Sequence, residues 1–151
     1  MRRIIINLSI TALFFTDLIT KRIALKYLGF QGFFIDTDFF KLGWAPTLNE
    51  KMAFNLSAPR FAILAFLLVT IWILGFYLIK NINAPRLPIV LILIGAMSNL
   101  IDRINFKGVI DFIDIRFWSL AWPIFNFADA FIVIGVIWWI YTFLSDRKII
   151  R

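Results

Sequence analysis

Four stretches of this chain run without a charged residue: Ile4–Thr16, Phe61–Ile79, Leu87–Ile101 and Ala130–Ser145. A helix crosses a bilayer with roughly 20 mostly apolar residues. Four such helices with their flanks consume more than half of 151 residues, so no second domain fits in the remainder. Residues 62% hydrophobic and 17% charged lie far from the about 45–50% and about 25% of soluble domains. The expected fold is an all-α membrane protein forming a single domain over 1–151. Its four transmembrane helices are placed at about 4–23, 60–79, 87–103 and 125–144, with a small β-rich outer-surface loop region. Gly, Pro and aromatic residues of loop 24–59, among them Phe33, Phe34, Phe39, Phe40 and Trp44, suggest short strands at the membrane surface. Loop 104–124 carries Trp118 and Trp122, a residue type enriched at the interface. Asn81–Arg86 reads as a tight turn between the second and third spans.

The missing residues narrow the chemistry. The chain has no His and no Cys. That removes Ser-His and Cys-His nucleophile systems, thiol redox chemistry, disulfides and every His- or Cys-bearing zinc site. Carboxylates, Lys, Tyr, Ser/Thr or a carboxylate-bound hard metal remain. The net charge of +7 does not point to nucleic acid, because in so apolar a chain basic residues act as topology signals at helix ends. Met1-Arg2-Arg3 before an apolar run looks like a secretory leader. However, Thr11–Lys21 has no small-x-small cleavage site and carries Asp17 and Lys21, so an uncleaved first span is expected.

Basic residues are densest in the short segments holding Arg2, Arg3, Lys80, Arg86, Arg147, Lys148 and Arg151, which puts both termini in the cytoplasm. In that orientation only Asp146 of the nine acidic residues is cytoplasmic. Asp17, Asp102, Asp111, Asp114 and Asp129 all fall toward the outer face. Ionisable groups at membrane depth cost at least a few kcal/mol and mark function by default.

Four motifs carry these acids. Asp17 and Lys21 stand four apart on one helix face; read locally, they are an ion pair easing a helix end into the headgroups, with Lys21 snorkelling. Asn99, Asp102 and Arg103 form a polar stripe ending the third span, after small residues Gly95, Ala96 and Ser98 that admit a neighbouring helix. Packing does not explain a buried Asn99. Asp111 and Asp114 sit in a β-prone run, one expected solvated and the other inward. Asn126 and Asp129 share a face where the fourth span opens after Pro123, and a carboxylate followed by sixteen apolar and uncharged residues needs a partner.

Two carboxylates held together share one proton, because the first charge opposes the second ionisation. The ionised member takes a proton from water while the protonated one polarises a peptide carbonyl, with no His, Cys, metal or cofactor. Asp111 with Asp129 is the favoured pair, since the loop between them folds back onto the fourth span; Asp102 is the competitor. At this point an intramembrane aspartyl hydrolase stands beside a non-enzymatic reading, a proton-coupled transporter or assembly factor.

The motif order resembles the lipoprotein signal peptidase family, also called signal peptidase II, over nearly the whole chain. The family's Asp-x-x-Ser/Thr-Lys appears as Asp17…Thr20-Lys21, and its Asn-x-x-Asp-Arg as Asn99…Asp102-Arg103. Its Val-Val-Asp-Phe-like segment appears as Val109-Ile110-Asp111-Phe112, and its Phe-Asn-x-Ala-Asp as Phe125-Asn126-Phe127-Ala128-Asp129. The resemblance implies an aspartyl endopeptidase of the bacterial cell (inner) membrane. Its substrate is a diacylglyceryl-modified prolipoprotein, cut just before the lipidated Cys. Asp111 and Asp129 carry over as the catalytic dyad. Asn49, Asn99, Arg103 and Asn126 match positions lining the site that hold the substrate backbone or the dyad, and Asp17, Lys21 and Asp102 match supporting positions. A tetrahedral oxyanion needs donors, for which Arg103 and Asn126 are the candidates. No metal or cofactor is implied, membrane lipid is an expected partner, and the chain is expected to act as a monomer. The family's Asn-x-Gly-x-Ala-Phe/Trp reads Asn49-Glu50-Lys51-Met52-Ala53-Phe54, with Lys51 where Gly would ease a backbone turn. Ile94 and Ser98 also replace glycines, which predicts a looser helix approach before Asn99.

Overall fold

The computed structural model describes residues 2–51, 58–81 and 85–148. The chain runs α1 (Arg2–Leu25), β1 (Gly32–Asp36), β2 (Phe40–Asn49), α2 (Arg60–Lys80), α3 (Arg86–Phe106), β3 (Val109–Phe117), β4 (Leu120–Ala121) and α4 (Phe127–Lys148). By length and composition α2, α3 and Phe127–Ser145 of α4 are apolar enough to cross a membrane. The helix α2 makes the case most plainly. An 18-residue stretch of it reaches a mean hydropathy of 2.6, it buries only Ile63 and Leu74, and Phe61, Phe66, Leu68, Val69, Trp72, Ile73, Phe76 and Ile79 face outward. A helix apolar on all sides needs apolar surroundings, as a membrane span has. The fourth helix, α1, is 24 residues long and exposes Leu13, Phe15, Ile19 and Ile23 while burying Asp17, Lys21 and Ala24.

The helix α3 packs against all three others. A Cβ on Gly95 would run into the carbonyl oxygen of Ala128, and one on Gly135 would lie 2.6 Å from the Pro88 oxygen. The backbones of α3 and α4 therefore touch at both places, as small residues allow. The looser approach expected from Ile94 and Ser98 is not found, because Gly95 is the position at the contact. Asn81 ends α2, its backbone N–H and side-chain Nδ2 both donating to the Tyr77 oxygen at 3.0 Å. The middle of the expected turn, residues 82–84, lies outside the described residues, as do Met52–Phe54 of the Asn49 motif and Arg151 of the basic termini.

Both long loops contribute to one antiparallel sheet of order β1-β2-β3-β4. The fold is thus four helices plus a four-stranded sheet that joins the two loops to each other. Trp44 pairs with Ile113 and Thr47 with Asp111, leaving one extra residue on β2 at Ala45-Pro46. Pro46 has no N–H to give a ladder, so a bulge is where it fits. A second close contact ties the chain after β4 to β3: Phe112 N and Ile113 N donate to the Phe125 oxygen at 3.0 and 2.8 Å. An apolar cluster of Ala24, Ile110 and Phe112, packed by Trp44, Leu48, Phe106 and Phe127, seats the sheet on the ends of α1, α3 and α4. The Phe112 ring centroid lies 4.8 Å from that of Trp44 and 5.5 Å from that of Phe127.

Candidate active site

Asn126 precedes α4, which begins at Phe127 rather than at 125 as expected. The reason is a reciprocal cap: Asp129 N donates to Asn126 Oδ1 at 2.9 Å, and Asn126 N donates to Asp129 Oδ2 at 3.3 Å. Each residue satisfies a backbone donor that the helix leaves open. The same Asn126, fully buried, reaches β3 with Nδ2, which donates to Asp111 Oδ1 at 2.8 Å and contacts the Ile110 oxygen and Asn99 Oδ1 at 3.3 Å. One residue thereby joins the two carboxylates, its side chain bonding that of the strand and its backbone N–H that of the helix.

Asp111 lies just past the β2 bulge and is buried. Asn49 Nδ2 donates to its Oδ2 at 2.9 Å, while Asn49 Oδ1 accepts Lys51 N at 3.0 Å. Burial first, and then the neighbouring Asp129 charge, push the Asp111 carboxyl up to about 7 against the opposing donors Asn49 and Asn126. Asp129 Oδ1 accepts Asn99 Nδ2 at 2.8 Å. Each of the four carboxylate oxygens of the pair therefore accepts an amide N–H.

Behind Asn99 lies a buried ionic cluster. Lys21 Nζ donates to Asn99 Oδ1 at 2.8 Å and Ser98 Oγ at 3.2 Å, and it pairs with Asp17 at 2.9 Å and Asp102 at 3.0 Å. Lys21 is 1% exposed, so it does not snorkel; it points inward, where oxygen atoms of α1 and α3 meet. Asp17 also accepts Ala128 N at 2.9 Å and the Ser98 hydroxyl, tying α1 to the first turn of α4. Asp102 accepts Ile110 N at 3.4 Å. It faces the Lys21 cluster, and no hydrogen bond links it to Asp111 or Asp129 among the described residues.

Arg103 Nη2 donates to the Lys51 oxygen at 2.6 Å, and the Arg103 oxygen accepts Arg60 Nη2 at 3.1 Å. Both ends of segment 51–60 are thus tied to one residue of α3. Lys51 is not among the residues with positive φ, so the strand end here makes its turn without the freedom of glycine. Asn126 has no hydrogen left for an oxyanion, since both are committed; its place is between the carboxylates.

All nine residues singled out in the sequence lie in one connected region, in which Asp111, Asp129, Asn49, Asn99 and Asn126 form the amide-lined pair. Asp17, Lys21 and Asp102 form the ionic cluster behind it, and Arg103 stands at its edge. Ser98, read as a packing residue, is a polar member of that cluster; its only signal was its place one residue before Asn99. Of Asp111 and Asp114 one is expected solvated, but both are buried. Arg116 grips Asp114 with Nε and Nη2, the shortest contact 2.6 Å, and Gln31 donates at 3.2 Å. These bonds hold its carboxyl below the usual range. Arg116 two residues on was the signal. Among the described residues no cluster of acidic side chains could hold a metal ion.

A family model described as Signal peptidase (SPase) II matches residues 9–145. The chain belongs to the signal peptidase II family. Lipoprotein signal peptidases from Syntrophus aciditrophicus and Borreliella burgdorferi are similar to it. The first is 38% identical, covering 73% of this chain and 73% of its own length, and the second 32% identical, covering 94% and 91%. A solved structure described as a bacterial membrane enzyme superposes with a TM-score of 0.81 at 28% identity, covering 94% of this chain and 88% of that one. Another with the same description gives 0.78 at 27%, covering 93% of each. Membership of a signal peptidase II family makes the chain a peptidase and leaves the transporter reading without support.

Proposed function

We propose that this signal peptidase removes the signal peptide from diacylglyceryl-modified prolipoproteins by aspartyl catalysis, cutting before the lipidated Cys. The observation that carries the reading is Asn126, which bonds Asp111 and Asp129 at once. Chain 1–151 acts as a single domain and a monomer in the bacterial inner membrane. All four helices span the bilayer, both termini are cytoplasmic and the sheet lies at the outer leaflet with its lipid. The lipid tails of the substrate stay among apolar helix faces while the scissile bond reaches the pair. The singly ionised pair takes a proton from one water, whose oxygen bonds to the scissile carbonyl carbon. The protonated member donates to the carbonyl oxygen, and Arg103 stands at the edge of the site to stabilise its developing charge. Collapse breaks the C–N bond, and the proton taken from water goes to the departing amine of the Cys. Asn49, Asn99 and Asn126 hold the carboxylates still.

Mass spectrometry of a diacylglyceryl-modified prolipoprotein incubated with the purified protein tests this. Release of the signal peptide with the cut directly before the lipidated Cys, unchanged by a chelator, is expected. An uncut substrate beside folded protein refutes the activity, and chelator loss reversed by a divalent ion refutes the metal-free mechanism.

The Asp111 proton also sets a pH limit. With its carboxyl at about 7 instead of the ordinary 3.8, Asp111 holds the shared proton below that pH and loses it above. Activity is expected to fall with a midpoint near pH about 7 on the alkaline side. A raised folded value likewise means that stability from this group is full below 3.8 and lost as pH rises through about 7. A flat kcat/KM profile between pH about 6 and about 9 contradicts the assignment.

A further inference from the structure

An amide has one oxygen and one NH2 end, and the ammonium of Lys21 is a donor only. Because Lys21 Nζ donates to Asn99 Oδ1 at 2.8 Å, the Asn99 amide must present Nδ2 to Asp129, which accepts it at 2.8 Å. Asn126 Nδ2, with one hydrogen on Asp111, shares its other between the Ile110 oxygen and the same Oδ1 at 3.3 Å, so the short, charged bond from Lys21 is the stronger hold on the Asn99 amide. Reversed, Asn99 would set a carbonyl oxygen against the carboxylate, a contact that only a protonated Asp129 satisfies.

We propose that Lys21 is a positioning residue for catalysis: it locks the orientation of the Asn99 amide and so keeps a donor on the singly ionised Asp111–Asp129 pair. This rests on the reading of that pair as the dyad. The charged groups around it are Asp111 from β3, Asp17 and Lys21 from α1, and Asp102 and Arg103 from α3. Removal of Lys21 alone strips two buried carboxylates of their partner. Replacing Lys21 and Asp102 together by Met and Asn leaves the cluster charge unchanged, and Asp17 keeps its donors Ala128 N and Ser98 Oγ.

The test is a cycle in an Asp102→Asn background: Lys21→Met, Asn99→Leu, and both, each read as kcat, KM and pH profile on a lipidated prolipopeptide. Either change is expected to lower kcat about tenfold, with KM within about twofold, and to move the acid limb up by about one pH unit. The combined variant should be no worse than Asn99→Leu, since Lys21 acts through that amide. Effects that multiply, or an unmoved acid limb, overturn the proposal. Should the Met variants not fold, Asn99→Asp with Lys21 intact decides. It sets an acceptor against Asp129 while still pairing with Lys21, so the same limb should move in the same direction; an unchanged profile overturns the proposal. Asp129→Asn run alongside separates the layers, because its activity would remove the dyad beneath the proposal, whereas an inactive Asp129→Asn with an unmoved limb removes the Lys21 role alone.

Discussion

Asp111→Asn and Asp129→Asn are each expected to abolish prolipoprotein cleavage, by about 10⁴-fold or more as for residues that act as a catalytic unit. Both proteins should remain folded and membrane-inserted. The chemistry demands one ionised and one protonated carboxyl, and an amide supplies neither a base nor a transferable proton. The fold tolerates the change because Asn is nearly isosteric and removes a buried charge that costs energy to hold. At Asp111 the neutral form is already favoured by burial. Circular dichroism and detergent-solubilised elution should match wild type while mass spectrometry finds only uncleaved substrate. Turnover within about tenfold of wild type in either variant would hand the chemistry to another residue. Asp102→Asn is the control: it sits against Lys21 and should lower activity only in part.

Lys21→Met has the largest expected effect on stability. The ammonium is 1% exposed and serves Asp17, Asp102, Asn99 and Ser98. Removing one partner of a buried pair costs about 3–5 kcal/mol, because an uncompensated charge stays behind. Here two carboxylates lose their cation, and α1 loses part of its tie to α3. A clear drop in the thermal midpoint is expected in detergent, with partial recovery when Asp102→Asn removes one of the stranded charges. A midpoint equal to wild type would mean that the cluster is hydrated and Lys21 is not what holds α1.

Asp17 and Lys21 show how far local reading reaches. Spacing four apart predicts their pairing, and they pair. The same spacing leaves open which way the pair faces, and snorkelling into headgroups was a sound local reading. The inward course is decided by Asp102, Ser98 and Asn99, some 80 residues away along the chain, which present oxygen atoms where α1 meets α3. Asp111 and Asp114 differ in the same way. Odd spacing on a strand sends them to opposite faces, but whether either face is wet depends on what covers it, and Arg116 with Gln31 covers Asp114.

By itself the sequence determined the apolar segments, the absence of His and Cys chemistry, and the ordered motifs that mark a signal peptidase II. The first two follow from composition and from patterning internal to one helix or strand, and the third from resemblance to a known family. Only the tertiary structure decided that loops 26–59 and 107–126 share one sheet. It also placed the extra residue at Ala45-Pro46, turned Asn126 to bridge two carboxylates, and brought Ala128 N to Asp17 across 111 residues. Those outcomes depend on which buried polar group finds which partner once the helices close. Satisfying all of them together is a constraint on the whole packed chain, with no counterpart in any local stretch of it.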